Sequence, residues 1–151
     1  VTRVPVRMLI GVGNRLLGDD GAGPEVAVRL GESGWLAVDC GPSLENAVGL
    51  VTRWRPDLLV VVDAARMGLP AGAVRSLPRP SGERMLASTH GLPLSFVLDR
   101  VEEAARRIVL IGIEPQDLTP GAGLSAPVRA AVERLAWQLQ RASVHEIPEL
   151  Q

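Results

Sequence analysis

The stretch MLIGVGNRLLGDDGAGPEVAVRL, Met8 to Leu30, decides the fold. Its apolar start, Met8-Leu9-Ile10-Gly11-Val12, reads as a buried strand over 7–12. Gly13-Asn14 ends that strand with turn chemistry. Gly18-Asp19-Asp20-Gly21 then sets two adjacent carboxylates in a loop framed by glycines. A helix is expected over about 24–31, because Pro24 suits a first helical position and Glu25 complements the helix dipole. Strand, loop and helix in this order put Asp19 and Asp20 beyond the carboxyl end of a strand. At that edge open α/β sheets bind their ligands.

Outward from this unit, strand and helix patterns alternate. Residues 35–39 read as a second strand, ending in Cys40-Gly41-Pro42. A helix over 44–52 follows, with Leu44, Val48 and Val51 on one face and Ser43 as its N-cap. Leu58-Leu59-Val60-Val61-Val62 is continuously apolar, as a strand covered on both faces must be, and runs into Asp63. Residues 73–77 form a weaker strand that suits an antiparallel edge, and 78–87 read as irregular. Ser88-Thr89-His90-Gly91 precede a helix over about 92–106 with the stripe Leu94, Val97, Leu98, Val101 and Ala105. A strand over 108–113 ends in Glu114-Pro115. The last helix, 126–141, carries Val128, Val132, Leu135 and Leu139 behind a Ser125 cap. Residues 143–151 read as a frayed tail. This alternation predicts one α/β domain over 1–151, a mostly parallel sheet with helices on both faces.

Composition agrees. The chain has 151 residues, 46% of them hydrophobic, enough for a core of its own. Its net charge of −1, with the signs interspersed, argues against a broad nucleic-acid-binding face. All sixteen basic side chains are Arg. Cys40 is the sole cysteine, so no internal disulfide forms and a cytoplasmic setting is expected. No apolar run approaches the roughly 18 residues of a membrane span. The first ten residues lack a signal-peptide pattern, so no membrane insertion is expected.

Three groups share one position in this scheme. Asp20 follows the first strand, Asp63 ends the third, and His90 precedes a helix that leads back to the sheet. In a parallel sheet all three belong to one rim. Two carboxylates and an imidazole suit zinc, nickel or another first-row divalent ion, with positions left open for water or substrate. Spacing alone leaves other roles open. Asp63 would serve equally as a loop or helix cap, Asp19 and Asp20 as solvated turn residues, and His90 as a loop histidine bonded to backbone. Gly11-Val12-Gly13-Asn14 hints at a dinucleotide loop, but Leu16 stands where the third glycine is needed and two acids stand where a pyrophosphate would come. Cys40 lacks a neighbouring base and reads as a packed residue. Ser88 and Ser125 have no elbow motif around them, and His145 reads as solvated in the tail.

Five segments occur in order: GVGNRLLGDDGAGPEVAVRL, DCGPSLENAVGLV, RPDLLVVVDAARMGLPAGAVR, STHGLPLSFVLDRV and IVLIGIEP. Together they resemble the [NiFe]-hydrogenase maturation endopeptidases, and most of all the branch that processes hydrogenase 3 large subunits. The GNxLxxDDGxG loop, the apolar strand ending in Asp and the S/T-x-H before a helix are its most specific marks. The resemblance covers about 8–139. It implies a twisted five-stranded sheet between helices, and Asp20, Asp63 and His90 as metal ligands.

It further implies an endopeptidase that removes a C-terminal extension from a [NiFe]-hydrogenase large-subunit precursor once nickel is in place. The nickel would be supplied by the substrate, with zinc or another divalent metal an expected occupant in vitro. A monomer is expected. For the hydrolytic step, metal activation of water and general-base action by Asp19 or Asp20 both stand open. Cys40 and Pro42 depart from the glycine-rich loop usual in the family. Two other readings keep the same trio: a nickel-sensing chaperone that cuts nothing, and a different metal-dependent hydrolase. A nucleotide-binding domain is disfavoured by the paired acids.

Overall fold

The computed structural model describes residues 3–31, 33–78, 94–141 and 144–151. Five strands, β1 (Arg7–Gly11), β2 (Leu36–Asp39), β3 (Leu58–Ala64), β4 (Val74–Leu77) and β5 (Ile108–Ile113), form one sheet in the order β2-β1-β3-β5-β4. β1 pairs in parallel with β2 and β3, and β3 with β5, while β4 closes the edge antiparallel to β5. The helices are α1 (Ala22–Leu30), α2 (Val48–Trp54), α3 (Leu94–Ala104) and α4 (Ala126–Arg141). The mostly parallel sheet and its antiparallel fourth strand are as the residue pattern predicts.

Strand side chains alternate between faces, so the central strands feed two cores. Met8, Ile10, Leu59 and Val61 pack with Val51 of α2 and Val97, Leu98 and Val101 of α3. Leu9, Val60 and Val62 pack on the other face with Val26 and Leu30 of α1 and Val128, Val132, Leu135 and Leu139 of α4. β3 is covered on both sides, which is why its sequence shows no polar alternation.

Three local features differ from the sequence expectation. The helix expected over 44–52 begins as a 3-10 turn, Leu44–Ala47, and becomes α2 only at Val48. Ser43 holds the extended N-cap backbone of that turn but makes no side-chain capping bond. The tail is not frayed over 144–150. Val144 and Ile147 are buried, Ser76 N–H donates to the Pro148 carbonyl (2.9 Å) and Leu150 N–H donates to Ser76 (2.9 Å). The tail thus covers the open edge of β4, and a short Pro-containing segment that docks by two bonds leaves no periodic signature.

Strand order places the site. From β1 the chain moves to β2 on one side, then crosses to β3 on the other. The carboxyl ends of β1 and β3 therefore flank a topological switch point, the crevice where doubly wound sheets bind ligands.

Candidate active site

Asp20 and Asp63 come to that crevice by different routes. Asp63 lies within β3, opposite Gly112 of β5, and is fully buried. Asp20 is carried by a 3-10 turn, Gly18–Gly21, that packs against β3 and leads directly into α1. Two glycines make this approach feasible. Gly13 has φ +150°, and a Cβ there would run into the Asp20 carbonyl. A Cβ on Gly23 would run into the Val12 and Val62 carbonyls, so α1 starts in backbone contact with both central strands.

The two adjacent carboxylates have opposite surroundings. Asp19 is fully buried and accepts four hydrogen bonds. Its Oδ2 receives the Gln116 N–H (2.8 Å), the Asp117 N–H (2.9 Å) and the Ser125 hydroxyl (2.8 Å), and its Oδ1 receives the Ser125 N–H (2.7 Å). Burial raises the carboxyl's pKa, but the bonds from Asp117, Ser125 and Gln116 together outweigh burial and hold it below the ordinary carboxylate value. Asp19 N–H also donates to the Asp117 carbonyl (2.8 Å), so the turn and the segment after β5 are locked together. Ser125 is the N-cap residue of α4 by position, since Arg129 N–H donates to its carbonyl (2.8 Å), while its hydroxyl serves Asp19.

Asp20 is also buried. Its Oδ2 accepts the Asn14 N–H (2.9 Å), but its Oδ1, shielded from solvent, accepts no hydrogen bond among the described residues. Burial raises its pKa, against the smaller opposing effect of the Asn14 bond. A buried carboxylate oxygen without a donor is costly unless a cation or a protonated partner meets it. That chemistry fits a metal ligand. Among the described residues no cluster of three or more His, Cys, Asp or Glu side chains has metal-binding geometry. His90, and with it Ser88 and the third position of the expected trio, lies outside the described residues.

Neighbouring loops brace the rim. Gly13 N–H donates to the Gly41 carbonyl (2.8 Å), and Cys40 N–H donates to the Gly11 carbonyl (2.9 Å). The segment after β2 is therefore tied to the loop after β1. Cys40 is buried and burial, with a smaller contribution from the Asp39 charge, pushes its thiol up to about 11. The thiolate form is scarce at neutral pH, as a packing residue allows. Glu114, at the end of β5, is a residue that sequence reasoning missed. Its buried carboxylate accepts Met67 N–H (2.7 Å) and Leu69 N–H (3.0 Å), fixing the segment that follows Asp63. A glutamate directly before proline at a strand end was the available signal.

Fold and site define an α/β protein with an acidic, partly unsatisfied rim at the switch point of a parallel sheet. The family model for hydrogenase maturation proteases matches residues 25–142, and the chain belongs to that family. It is 32% identical over 137 residues to the hydrogenase 3 maturation protease of Escherichia coli K12, with 88% of each chain covered. Its structure is similar to that of the endopeptidase HycI of Escherichia coli, at TM-score 0.85 and 29% identity over 97% of each chain. It is also similar to the [NiFe] hydrogenase maturation protease HycI of Thermococcus kodakarensis, at TM-score 0.76 and 34% identity, with 90% of this chain and 91% of the other covered. The protein is a protease of hydrogenase maturation.

Proposed function

We propose that this protease removes the C-terminal extension of a nickel-loaded [NiFe]-hydrogenase large-subunit precursor, and that it recognises the precursor by the nickel itself. Asp20, Asp63 and His90 would supply the recognising ligands. The observation that carries this reading is the buried Oδ1 of Asp20, which accepts no hydrogen bond among the described residues. A precursor's metal entering the crevice would give that oxygen the positive partner it lacks. An empty precursor would offer none, so selectivity for the loaded form follows from electrostatics.

In this account the nickel is part of the substrate. Oxygen and imidazole donors suit its open positions. Hydrolysis adds water across the peptide bond and gives a new carboxylate and a free amine. Asp19 is poorly suited to take the proton from water, because its oxygens already accept four hydrogen bonds and its carboxyl is held below the ordinary value. Its role is to hold the turn, which leaves Asp20, with its unbonded Oδ1, as the carboxylate of that turn turned to the chemistry. No helix among the described residues is long and apolar enough to cross a membrane. We further propose that the protein works as a cytoplasmic monomer.

The test is the intact mass of the cognate precursor, with and without nickel, after incubation with the protein. Loss of a C-terminal fragment from the loaded form alone is expected. A stable complex with no fragment lost would instead establish a nickel-sensing chaperone.

A further inference from the structure

A cleft of about 280 Å³ lies beside the acidic turn, lined by Gly18, Gly21, Arg15, Glu25, Arg29 and Arg129, with Gly123 and Leu124 closing it. Three guanidinium groups there face one carboxylate. Arg15 is shared between Asp39 (3.1 Å) and Glu25 (3.4 Å), and Arg29 between Glu25 (3.7 Å) and Glu133 (3.7 Å). Arg129, near the start of α4, makes no ion pair among the described residues; one amino group donates to the Leu124 carbonyl (3.2 Å). Arg15 and Arg29 are thus engaged by three carboxylates, Asp39, Glu25 and Glu133, and among the described residues the Arg129 fork is the one left to receive a further carboxylate.

Position gives this charge a use. Gly21 directly follows Asp20, so their Cα atoms are about 3.8 Å apart. Gly18 and Gly21 line the cleft with backbone only, and the space a Cβ would take at each is filled by Asp117 and Arg15 of the chain itself. An extended chain covers about 3.3 Å per residue, so a group on the order of two to four residues from the rim reaches the arginines.

From this we infer that the Arg15–Arg29–Arg129 cleft binds a carboxylate of the precursor's C-terminal extension and so sets which bond lies over the Asp20 rim. The inference rests on the protease reading above. The carboxylate is either the chain's terminal group or an acidic side chain within the extension.

Calorimetry with a synthetic peptide of the cognate extension tests this, using wild-type protein and Arg129→Gln. Arg129 is exposed on a helix, so the variant should keep the wild-type melting temperature. Arg129→Gln is expected to weaken peptide binding roughly tenfold, the range for losing one charge-assisted pair. Either amidating the peptide's C-terminus or changing its Asp and Glu to Asn and Gln should weaken wild-type binding equally. Whichever does so identifies the source, and that same change should add no further loss in Arg129→Gln. Equal binding by wild type and variant, no measurable binding by wild type, or indifference to both peptide changes would overturn the inference. Cleavage of the nickel-loaded precursor is measured in parallel. Peptide bound through Arg129 without any precursor cleavage would overturn the protease reading and leave the cleft. Cleavage with binding indifferent to Arg129 would do the reverse.

Discussion

Asp19 and Asp20 are neighbours in one short turn, and the two sides of that turn have different purposes. On the Asp19 side, facing 116–125, both carboxylate oxygens are engaged, by four donors in all. On the Asp20 side, facing the ends of β1 and β3, one buried oxygen accepts nothing among the described residues. Satisfied buried groups build an architecture. Unsatisfied ones are held in place by it, at a cost that a catalytic or binding role would explain. The first side explains how the second is kept rigid: the turn is bonded to the segment that leads into α4, and it cannot relax toward solvent.

The largest expected effect is on the Asp20 side. Asp63→Asn and His90→Ala should each lower processing of the nickel-loaded precursor by at least about 100-fold, the scale of losing a metal ligand or its support. Intact-mass time courses read this directly, and normal processing by either variant would remove that residue from the ligand set.

Next comes the Asp19 side. Asp19→Ala leaves the N–H groups of Gln116, Asp117 and Ser125 and the Ser125 hydroxyl without their acceptor. A loss of about 3 kcal/mol is expected, given about 1–3 kcal/mol for each stranded buried group and partial rescue by water. Chemical denaturation measures it; a change within about 0.5 kcal/mol would show that the turn does not depend on this carboxylate. The pH dependence sharpens the point. The folded-state pKa of Asp19 is depressed, so its stabilisation is present above the unfolded value of about 3.9 and is lost as pH falls through the lower folded value. Wild type should therefore lose more stability than Asp19→Asn on acidification through this window, and parallel melting curves would contradict the assignment.

A smaller effect is expected at Glu114. Glu114→Ala strands the Met67 and Leu69 N–H groups, for a loss of about 1–3 kcal/mol. Hydrogen exchange at those two amides should rise. Unchanged protection there would mean that the segment after Asp63 is held by something else.

Much of the fold was legible because its signals are local. The run Leu58 to Val62 and the stripe Val128, Val132, Leu135, Leu139 carry their burial in their spacing. His90 lies outside the described residues, but the positions of Asp20 after β1 and of Asp63 in β3 were legible too, since the carboxyl ends of parallel strands share one edge. The division of labour between Asp19 and Asp20 was not. It depends on bonds to residues 97, 98 and 106 positions away, and identical neighbouring side chains carry no mark of which faces which loop. The docking of 144–150 on β4 and the Glu114 clamp were hidden for the same reason. Each consists of a few long-range hydrogen bonds with no periodicity behind them.

Asp19 and Asp20 are adjacent carboxylates with opposite surroundings, and one measurement separates their roles. Asp20→Asn and Asp19→Asn would be incubated with the nickel-loaded precursor, below the melting temperature of both, and the precursor mass followed. Asp20→Asn should melt like the wild type and leave the precursor uncut. Asp19→Asn should melt lower and still release the extension. Cleavage at the wild-type rate by Asp20→Asn would contradict the account.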